Sequence, residues 1–252
     1  MNIFKKIGNF FKNRKETGDV SAVILCAGNS TRFSQGKESK QLFQLLGKPV
    51  ILWTIEAFQR CNAINEIVLV VRKEDAEEFN KLVCAYNLDK VSCIVIGGNT
   101  RQISAMRGFK HVSEKNKYVA FHDGARCLVT PEIINTVVYY AKESNAATAA
   151  TKVIDTVKLS DQDGFVVKTL NRELMWNVQT PQIFEKNLYS LCIEFAHERG
   201  ISATDDAMLV EAYGEKVKLV DTGKENMKIT VMEDISFAEN ILRSRGVDDL
   251  WE

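Results

Sequence analysis

Two cations follow a run of residues suited to a buried strand. Val20-Ser21-Ala22-Val23-Ile24-Leu25 is short, largely apolar and rich in β-branched residues. It ends at the small residues Cys26, Ala27 and Gly28, passes through Asn29-Ser30-Thr31, and then presents Arg32 and, ahead of a Gly47-Lys48-Pro49 turn, Lys40. Small side chains let backbone N–H groups approach an anion and fixed cations supply charge, so the pattern suits phosphate binding. The same residues also fit an ordinary strand-to-helix turn with solvated cations. A second segment, Gly97-Gly98-Asn99-Thr100-Arg101-Gln102-Ile103-Ser104, leaves another apolar run and enters a helical pattern. Its glycines permit positive φ and close backbone approach to a flat ring, and Arg101 and Ser104, one helical turn apart, can face one pocket. Paired glycines are common in turns, so this segment alone has moderate specificity. A third, His122-Asp123-Gly124-Ala125-Arg126, closes a short apolar run. An aspartate just past a strand end can hold a substrate hydroxyl or a divalent cation, and Mg²⁺ is the ion that binds through a carboxylate plus phosphates. A helix cap or turn is the plainer reading of Asp123.

Such residues work together only if a scaffold brings three strand ends to one place. Strand patterns at 20–25, 67–71, 91–96, 118–121 and 146–153 alternate with helical patterns at 50–58, 74–86, 103–112 and 131–144. That alternation predicts an α/β fold, a mainly parallel sheet covered on both faces. Ligands on such sheets bind beyond the carboxyl ends of the strands, where all three segments fall. From 155 to 182 the pattern changes. Asp155-Thr156-Val157-Lys158-Leu159 alternates, Asp161-Gln162-Asp163-Gly164 signals a turn, and Phe165-Val166-Val167-Lys168 follows, which predicts a hairpin. A second alternation through Trp176-Asn177-Val178-Gln179 precedes Thr180-Pro181-Gln182. Antiparallel strands inserted in an α/β chain predict a projecting arm, and an exposed arm needs covering, often by a symmetry mate. Helical patterns then resume at 186–199, 205–213 and, after a strand at 217–220, at 233–245.

The first loop is neither of the two common phosphate loops. Only Gly28 is present of the three glycines in a dinucleotide fingerprint, and Gly36-Lys37-Glu38 lacks the Ser/Thr of a P-loop. Instead L-C-A-G-N-S-T-R-F…S-K-Q resembles the A-A-G-x-G-x-R…P-K-Q loop of sugar-phosphate cytidylyltransferases, most closely those of the non-mevalonate isoprenoid pathway that act on 2-C-methyl-D-erythritol 4-phosphate. The resemblance runs from about 20 to 245 with its motifs in order. It implies a Rossmann-like three-layer nucleotidyltransferase fold with a β-arm at about 152–178, within a domain over 20–246 flanked by an extension (1–19) and a tail (247–252).

The resemblance also implies residue roles. The family's G-G-x-x-R-Q-x-S segment, which holds cytosine and ribose, is matched by Gly97, Gly98, Arg101 and Ser104. Cys26, Ala27 and Gly28 fall in the loop that holds the CTP phosphates, with Arg32 and Lys40 as catalytic cations. The family's H-D-A-A-R-P is matched through Asp123, the expected Mg²⁺ and substrate residue, and Arg126. Arg172, in T-L-N-R-E-L-M-W, aligns with an arm arginine that reaches the partner subunit's site in a homodimer. Lys228 matches the lysine of N-x-K-I-T, a second group on the substrate phosphate. Thr156, Thr180 and Thr204, in D-T-V-K, T-P-Q and T-D-D-A, complete the expected substrate contacts, although Thr204-Asp205-Asp206 also reads as a helix start. His122 is read as structural, because a phosphate monoester needs no base to become a nucleophile. Departures from the family pattern are Cys26, Ser30, Ser39, Cys127, the Thr151-Lys152 pair and a one-residue longer gap between Arg32 and Lys40. None removes a charged group.

Composition is consistent with this. The 252 residues are 45% hydrophobic and 26% charged with zero formal net charge, so nothing points to nucleic-acid binding. Six cysteines lack C-x-x-C spacing and read as reduced thiols of a cytoplasmic protein rather than disulfides or zinc ligands. In the first fifteen residues Ile3, Phe4, Ile7 and Phe11 recur at helical spacing among Lys5, Lys6, Lys12, Arg14 and Lys15. A basic amphipathic helix can lie on a membrane surface, but so short a segment more often packs on its own domain or frays, which is the preferred reading. The expected reaction transfers CMP from CTP to the erythritol phosphate. The alternatives are ribitol 5-phosphate as acceptor, against which Trp176 in the T-x-x-R-x-x-x-W arm pattern weighs, or a catalytically silent binding protein, which has no need of five such charged residues.

Overall fold

The computed structural model describes residues 18–29, 31–34 and 39–247. The basic segment before Gly18, Ser30 and the tail after Val247 lie outside the described residues.

The first strand, β1 (Val20–Leu25), is buried along its whole length, as a central strand covered on both faces must be. A short helix α1 (Thr31–Ser34), a small hairpin β2 (Gln44–Leu45) and β3 (Lys48–Pro49), and helix α2 (Val50–Arg60) lead to β4 (Ile64–Val71). A 3-10 turn (Lys73–Asp75) and α3 (Ala76–Ala85) lead to β5 (Val91–Ile96), then α4 (Arg101–Phe109) to β6 (Tyr118–Asp123), and α5 (Pro131–Ser144) to β7 (Ala146–Lys152). The chain continues through β8 (Lys158–Ser160), β9 (Val166–Thr169), a 3-10 turn (Arg172–Leu174), β10 (Trp176–Glu185), α6 (Lys186–Glu198), α7 (Asp206–Tyr213), β11 (Lys218–Asp221) and α8 (Glu233–Ser244).

Seven strands form one sheet in the order β11-β7-β10-β6-β1-β4-β5. Only β10 runs against its neighbours β6 and β7; the other pairs are parallel. Alternate residues of β1 serve opposite layers. Val20, Ala22 and Ile24 pack with α2 and α5, whereas Val23 and Leu25 face the layer of α4, α6 and α7, where the rings of Phe121, Phe184 and Tyr189 meet. A third cluster (Phe33, Leu45, Trp53, Leu128, Ile229, Ile235) ties the segment after β1 to the one after β6 and to α8.

Local chemistry explains where elements begin. Thr130 accepts a hydrogen bond from the Ile133 N–H, Pro131 occupies the first turn of α5, and Asn145 ends it at φ 62°. The helix expected from residue 103 starts at Arg101, because Thr100 caps it by accepting from Ile103 N–H. The strand expected at 118–121 extends through His122 and Asp123, which puts Asp123 at the carboxyl end of an interior strand with a fixed backbone. The largest departure is β10. Trp176–Gln179 does not end an arm but begins a ten-residue strand of the main sheet, with a register irregularity between Val178 and Gln182 that accommodates Pro181.

The hairpin β8–β9 pairs only with itself and is exposed on every residue. Asp161 Oδ1 accepts from the N–H groups of Asp163 and Phe165, and Gly164 adopts φ +86° to close the turn. Phe165 and Leu174 are 72% and 71% exposed, with Val166 and Val167 close behind. Among the cysteines, Cys26, Cys61, Cys127 and Cys192 are buried, Cys93 is half-buried and Cys84 exposed; all six are free thiols.

Candidate active site

Beyond the carboxyl ends of β1, β5 and β6 lies a cavity of about 440 Å³, walled by Ala27, Gly28, Lys40, Gly98, Arg101 and Asp123 among others, with Lys228 at its side. Asp123, the last residue of β6, is its electrostatic centre. Lys228 Nζ lies 2.8 Å from Asp123 Oδ2, Arg101 Nε 3.5 Å from Oδ1 and Arg126 Nε 3.6 Å from Oδ2. Burial pushes this carboxyl up, but Lys228, Arg101 and Arg126 outweigh it and hold the group well below the usual carboxylate range. Three cations around one carboxylate leave a surplus of positive charge, which suits a polyanion.

Beneath Asp123 the network is neutral. The Asp123 N–H donates to Thr180 Oγ1 at 3.0 Å, and Thr180 Oγ1 lies 3.0 Å from His122 Nδ1. With the hydroxyl accepting from Asp123, its proton is directed to Nδ1, and His122 Nε2 faces the Arg126 carbonyl at 3.3 Å. This pattern assigns the imidazole proton to Nε2. Burial lowers the pKa of His122 to about 3 despite the neighbouring Asp123, so it is a neutral structural group. Thr180, expected among substrate contacts, is itself buried and supports Asp123 from below.

Lys40 Nζ donates to the Ile229 carbonyl at 3.1 Å. Burial and then the nearby Lys228 lower its pKa to about 8. Arg32 is exposed on α1 and does not line the cavity, though its charge bears on Lys40. Arg126 is half-buried beside Asp123 and donates through Nη1 to the Asn226 carbonyl at 3.0 Å, which ties the segment after β6 to the one carrying Lys228.

The two glycine segments behave differently from expectation. Neither Gly97 nor Gly98 adopts positive φ. What they supply is room: a Cβ on Gly97 would stand 2.3 Å from Ala27 Cβ, and one on Gly98 2.2 Å from Ile103 Cγ2. Gly97 therefore lets the end of β5 touch the loop after β1, while Gly28 faces open space. Ser104 lines the cavity, but its hydroxyl accepts from Gly98 N–H at 3.0 Å and donates to the Thr100 carbonyl at 2.9 Å, stapling the loop. Cys26 sits under the cavity wall rather than in it; its N–H donates to the Val70 carbonyl, and burial first, then Asp123, pushes its thiol far up.

The arm residues are not brought to this cavity within one chain. Arg172 and Thr156 are exposed and outside the lining, with Arg172 Nη1 donating to the Ile154 carbonyl at 2.9 Å. Thr204 is exposed too, its hydroxyl 3.9 Å from Met208 Sδ. Sequence reasoning passed over Gln41, a buried residue of the lining, and Asp206, a fully buried carboxylate 2.6 Å from Arg101 Nη1. A signal for the latter existed: of two successive acids at a helix start only one caps, and Asp205 takes that role by accepting from Met208 N–H.

Among the described residues, Asp123 is the one carboxylate lining the cavity, and no cluster of three or more His, Cys, Asp or Glu side chains suited to a metal occurs. This donor set does not build an all-protein metal cage. It fits an ion that takes one protein carboxylate and draws its other ligands from phosphates and water, as Mg²⁺ does.

Comparison with known proteins gives a consistent picture. The family model of 2-C-methyl-D-erythritol 4-phosphate cytidylyltransferase matches residues 20–244. The enzyme of that name from Alkaliphilus oremlandii is 40% identical over 226 residues, 89% of this chain and 95% of the relative. The one from Caldanaerobacter subterraneus subsp. tengcongensis is 42% identical over 89% of this chain and 99% of its own. Among solved structures, 4-diphosphocytidyl-2C-methyl-D-erythritol synthase from Anaerococcus prevotii superposes with a TM-score of 0.79 at 32% identity, over 90% of this chain and all of that one. The cytidylyltransferase from Thermus thermophilus gives 0.71 at 28% identity, over 89% and 99%.

Proposed function

The chain belongs to the 2-C-methyl-D-erythritol 4-phosphate cytidylyltransferase family, and from that premise we infer how its own residues carry out the reaction. The activity is nucleotidyl transfer: CMP passes from CTP to 2-C-methyl-D-erythritol 4-phosphate, giving 4-diphosphocytidyl-2-C-methyl-D-erythritol and pyrophosphate. An oxygen of the sugar phosphate attacks the α-phosphorus of CTP, and the bond to the bridging oxygen of the β-phosphate breaks. The comparisons favour neither ribitol 5-phosphate as acceptor nor a silent relative.

The observation that carries the reading is the grouping of Lys40, Arg101, Arg126 and Lys228 around Asp123. Both reactants are polyanions. Two unit charges ~4 Å apart repel by about 4 kcal/mol at an effective dielectric of 20, and these cations offset that term. In our reading Lys40 and Arg32 stabilise charge on the triphosphate as pyrophosphate departs. Ala27, Gly28, Gly98 and Arg101 seat the nucleotide, with Cys26, Gly97 and Ser104 shaping its loops from beneath. Lys228 and Arg126 orient the acceptor phosphate for attack, with Asp123 holding them in register. Asp123 would also hold Mg²⁺, which, when bound with CTP, neutralises triphosphate charge. No side chain needs to act as a base on the acceptor, which agrees with a neutral His122.

We further propose a cytidylyltransferase domain over 20–246 whose arm, at about 152–178, packs on a second copy. The exposed apolar residues of the arm need such a cover, and a homodimer would let Arg172 and its arm neighbour Thr156 act on a partner's acceptor site. Free cysteines, and the lack of a membrane-crossing helix among the described residues, support a cytoplasmic enzyme. A pyrophosphate-release assay with CTP and each of the two polyol phosphates tests the function. Turnover with the erythritol phosphate, abolished by EDTA and restored by Mg²⁺, is the expected result. Turnover with ribitol 5-phosphate alone, or with neither, would overturn it.

A further inference from the structure

Behind the cavity wall, Arg101 is gripped by a residue outside the cavity lining. Its Nη1 donates to Asp206 Oδ2 at 2.6 Å, while Nε sits 3.5 Å from Asp123. Asp206 is 1% exposed and belongs to no part of the cavity lining. It is itself fixed on two sides. The Tyr189 hydroxyl, fully buried in the aromatic cluster, donates to Asp206 Oδ1 at 2.7 Å. Gln182 Oε1, on β10, accepts from the backbone N–H groups of Asp206 and Ala207 at 2.9 and 3.0 Å. A buried carboxylate held this rigidly costs stability unless paired, and among the described residues the one cation it meets is Arg101. The remaining nitrogen of that guanidinium, Nη2, is buried and has no hydrogen-bond partner among the described residues, on a side chain that lines the cavity. Such a donor suits an acceptor on the ligand.

We propose that Asp206, locked by Tyr189 and Gln182, is the positioning residue that aims Arg101 at the bound nucleotide. The inference rests on Arg101 contacting CTP. Without Asp206, the guanidinium would have Asp123 as its only nearby anion among the described residues and would lose the contact that fixes the direction of its free Nη2. The nucleotide would lose a pre-oriented donor, whereas the acceptor phosphate would keep its own contacts. Asp206 therefore governs CTP affinity more than turnover.

A kinetic cycle with Arg101→Met, Asp206→Asn and the double variant tests this, with KM for CTP, KM for the sugar phosphate and kcat measured separately. Asp206→Asn should raise KM for CTP roughly 10–100-fold, the range for a hydrogen bond to a charged group, and leave KM for the sugar phosphate within about twofold. Combining it with Arg101→Met should add almost nothing to the Arg101→Met effect on KM for CTP. If Asp206→Asn does not fold, Tyr189→Phe, which deletes one hydroxyl, takes its place with an expected rise of about threefold and the same non-additivity. An unchanged KM for CTP in Arg101→Met would overturn the nucleotide role of Arg101 and this inference with it. A raised KM in Arg101→Met with none in Asp206→Asn, or additive effects in the double variant, would overturn the positioning role alone.

Discussion

Lys228 Nζ and Asp123 Oδ2 lie 2.8 Å apart although 105 positions separate the two residues in the chain. The pair links the end of β6 to the segment before α8, at the side of the cavity. Since Lys228, Arg101 and Arg126 hold Asp123 well below the usual carboxylate range, its folded pKa is depressed relative to the unfolded chain. Its stabilising contribution is thus fully present above the unfolded value of about 4 and is lost as pH falls toward the folded one. Asp123→Asn should melt below the wild type at pH 7, and the gap should narrow steadily once the pH drops below about 4. Thermal melts of both proteins across pH 2–8 check this; a gap that widens in acid would contradict it.

Lys40 bears on activity rather than on acid stability. Its pKa is lowered to about 8 by burial and by Lys228, so the free enzyme loses this positive charge as pH rises through that value. The kcat/KM for CTP should fall above about pH 8, because that parameter reports groups of the free enzyme. Lys40→Arg should flatten this limb, since arginine stays charged. Lys40→Ala should lower kcat by about 10²–10³ with little change in melting temperature.

Gly97→Ala addresses the nucleotide loops. The added methyl meets Ala27 Cβ at 2.3 Å, so the loop after β1 must move. Overpacking of this kind costs about 1–3 kcal/mol, and KM for CTP should rise by about tenfold or more. Wild-type discrimination of CTP against ATP, expected at about 10⁴ in kcat/KM if the pocket hydrogen-bonds the cytosine edge, should weaken in the same variant. Comparable kcat/KM for ATP and CTP in the wild type would show that the base pocket has been misassigned.

Complementation tests the arm. Lys40→Ala and Arg172→Ala chains should each be inactive alone, and mixing them under exchange conditions should restore part of the activity. One site of a mixed dimer regains both residues only if Arg172 serves the partner's cavity. No recovery despite demonstrated exchange would place Arg172 in its own chain's site.

Much of the fold was legible because β1 and β4–β7 are short apolar runs separated by helical patterns, and because Pro131 marks a helix start. β10 was less legible. Trp176-Asn177-Val178-Gln179 alternates like an exposed strand and Pro181 reads as a stop, whereas the bulge at that proline lets Gln182–Glu185 run on beside β6. Within the site, the loops after β1, β5 and β6 could be read from small residues at strand ends. Lys228 and Arg172, as isolated charges, carry no local signal and were visible only through family resemblance. The pairing of Arg101 with Asp206 depends on how α7 docks against α4, and no local pattern reports that.

The place of β10 also has a consequence for how the chain is made. It alone bridges β6 and β7, so the sheet consists of two halves joined by one late strand. As the polypeptide leaves the ribosome, β1, β4, β5 and β6 can pair with one another at once. β7 must wait with both edges open until the arm has been synthesised and β10 has followed it. Unpaired strand edges and exposed apolar side chains are what drive misassembly, and here both coincide in a single interval of synthesis. The vulnerable species is thus a nascent chain that has passed β7 but not yet β10.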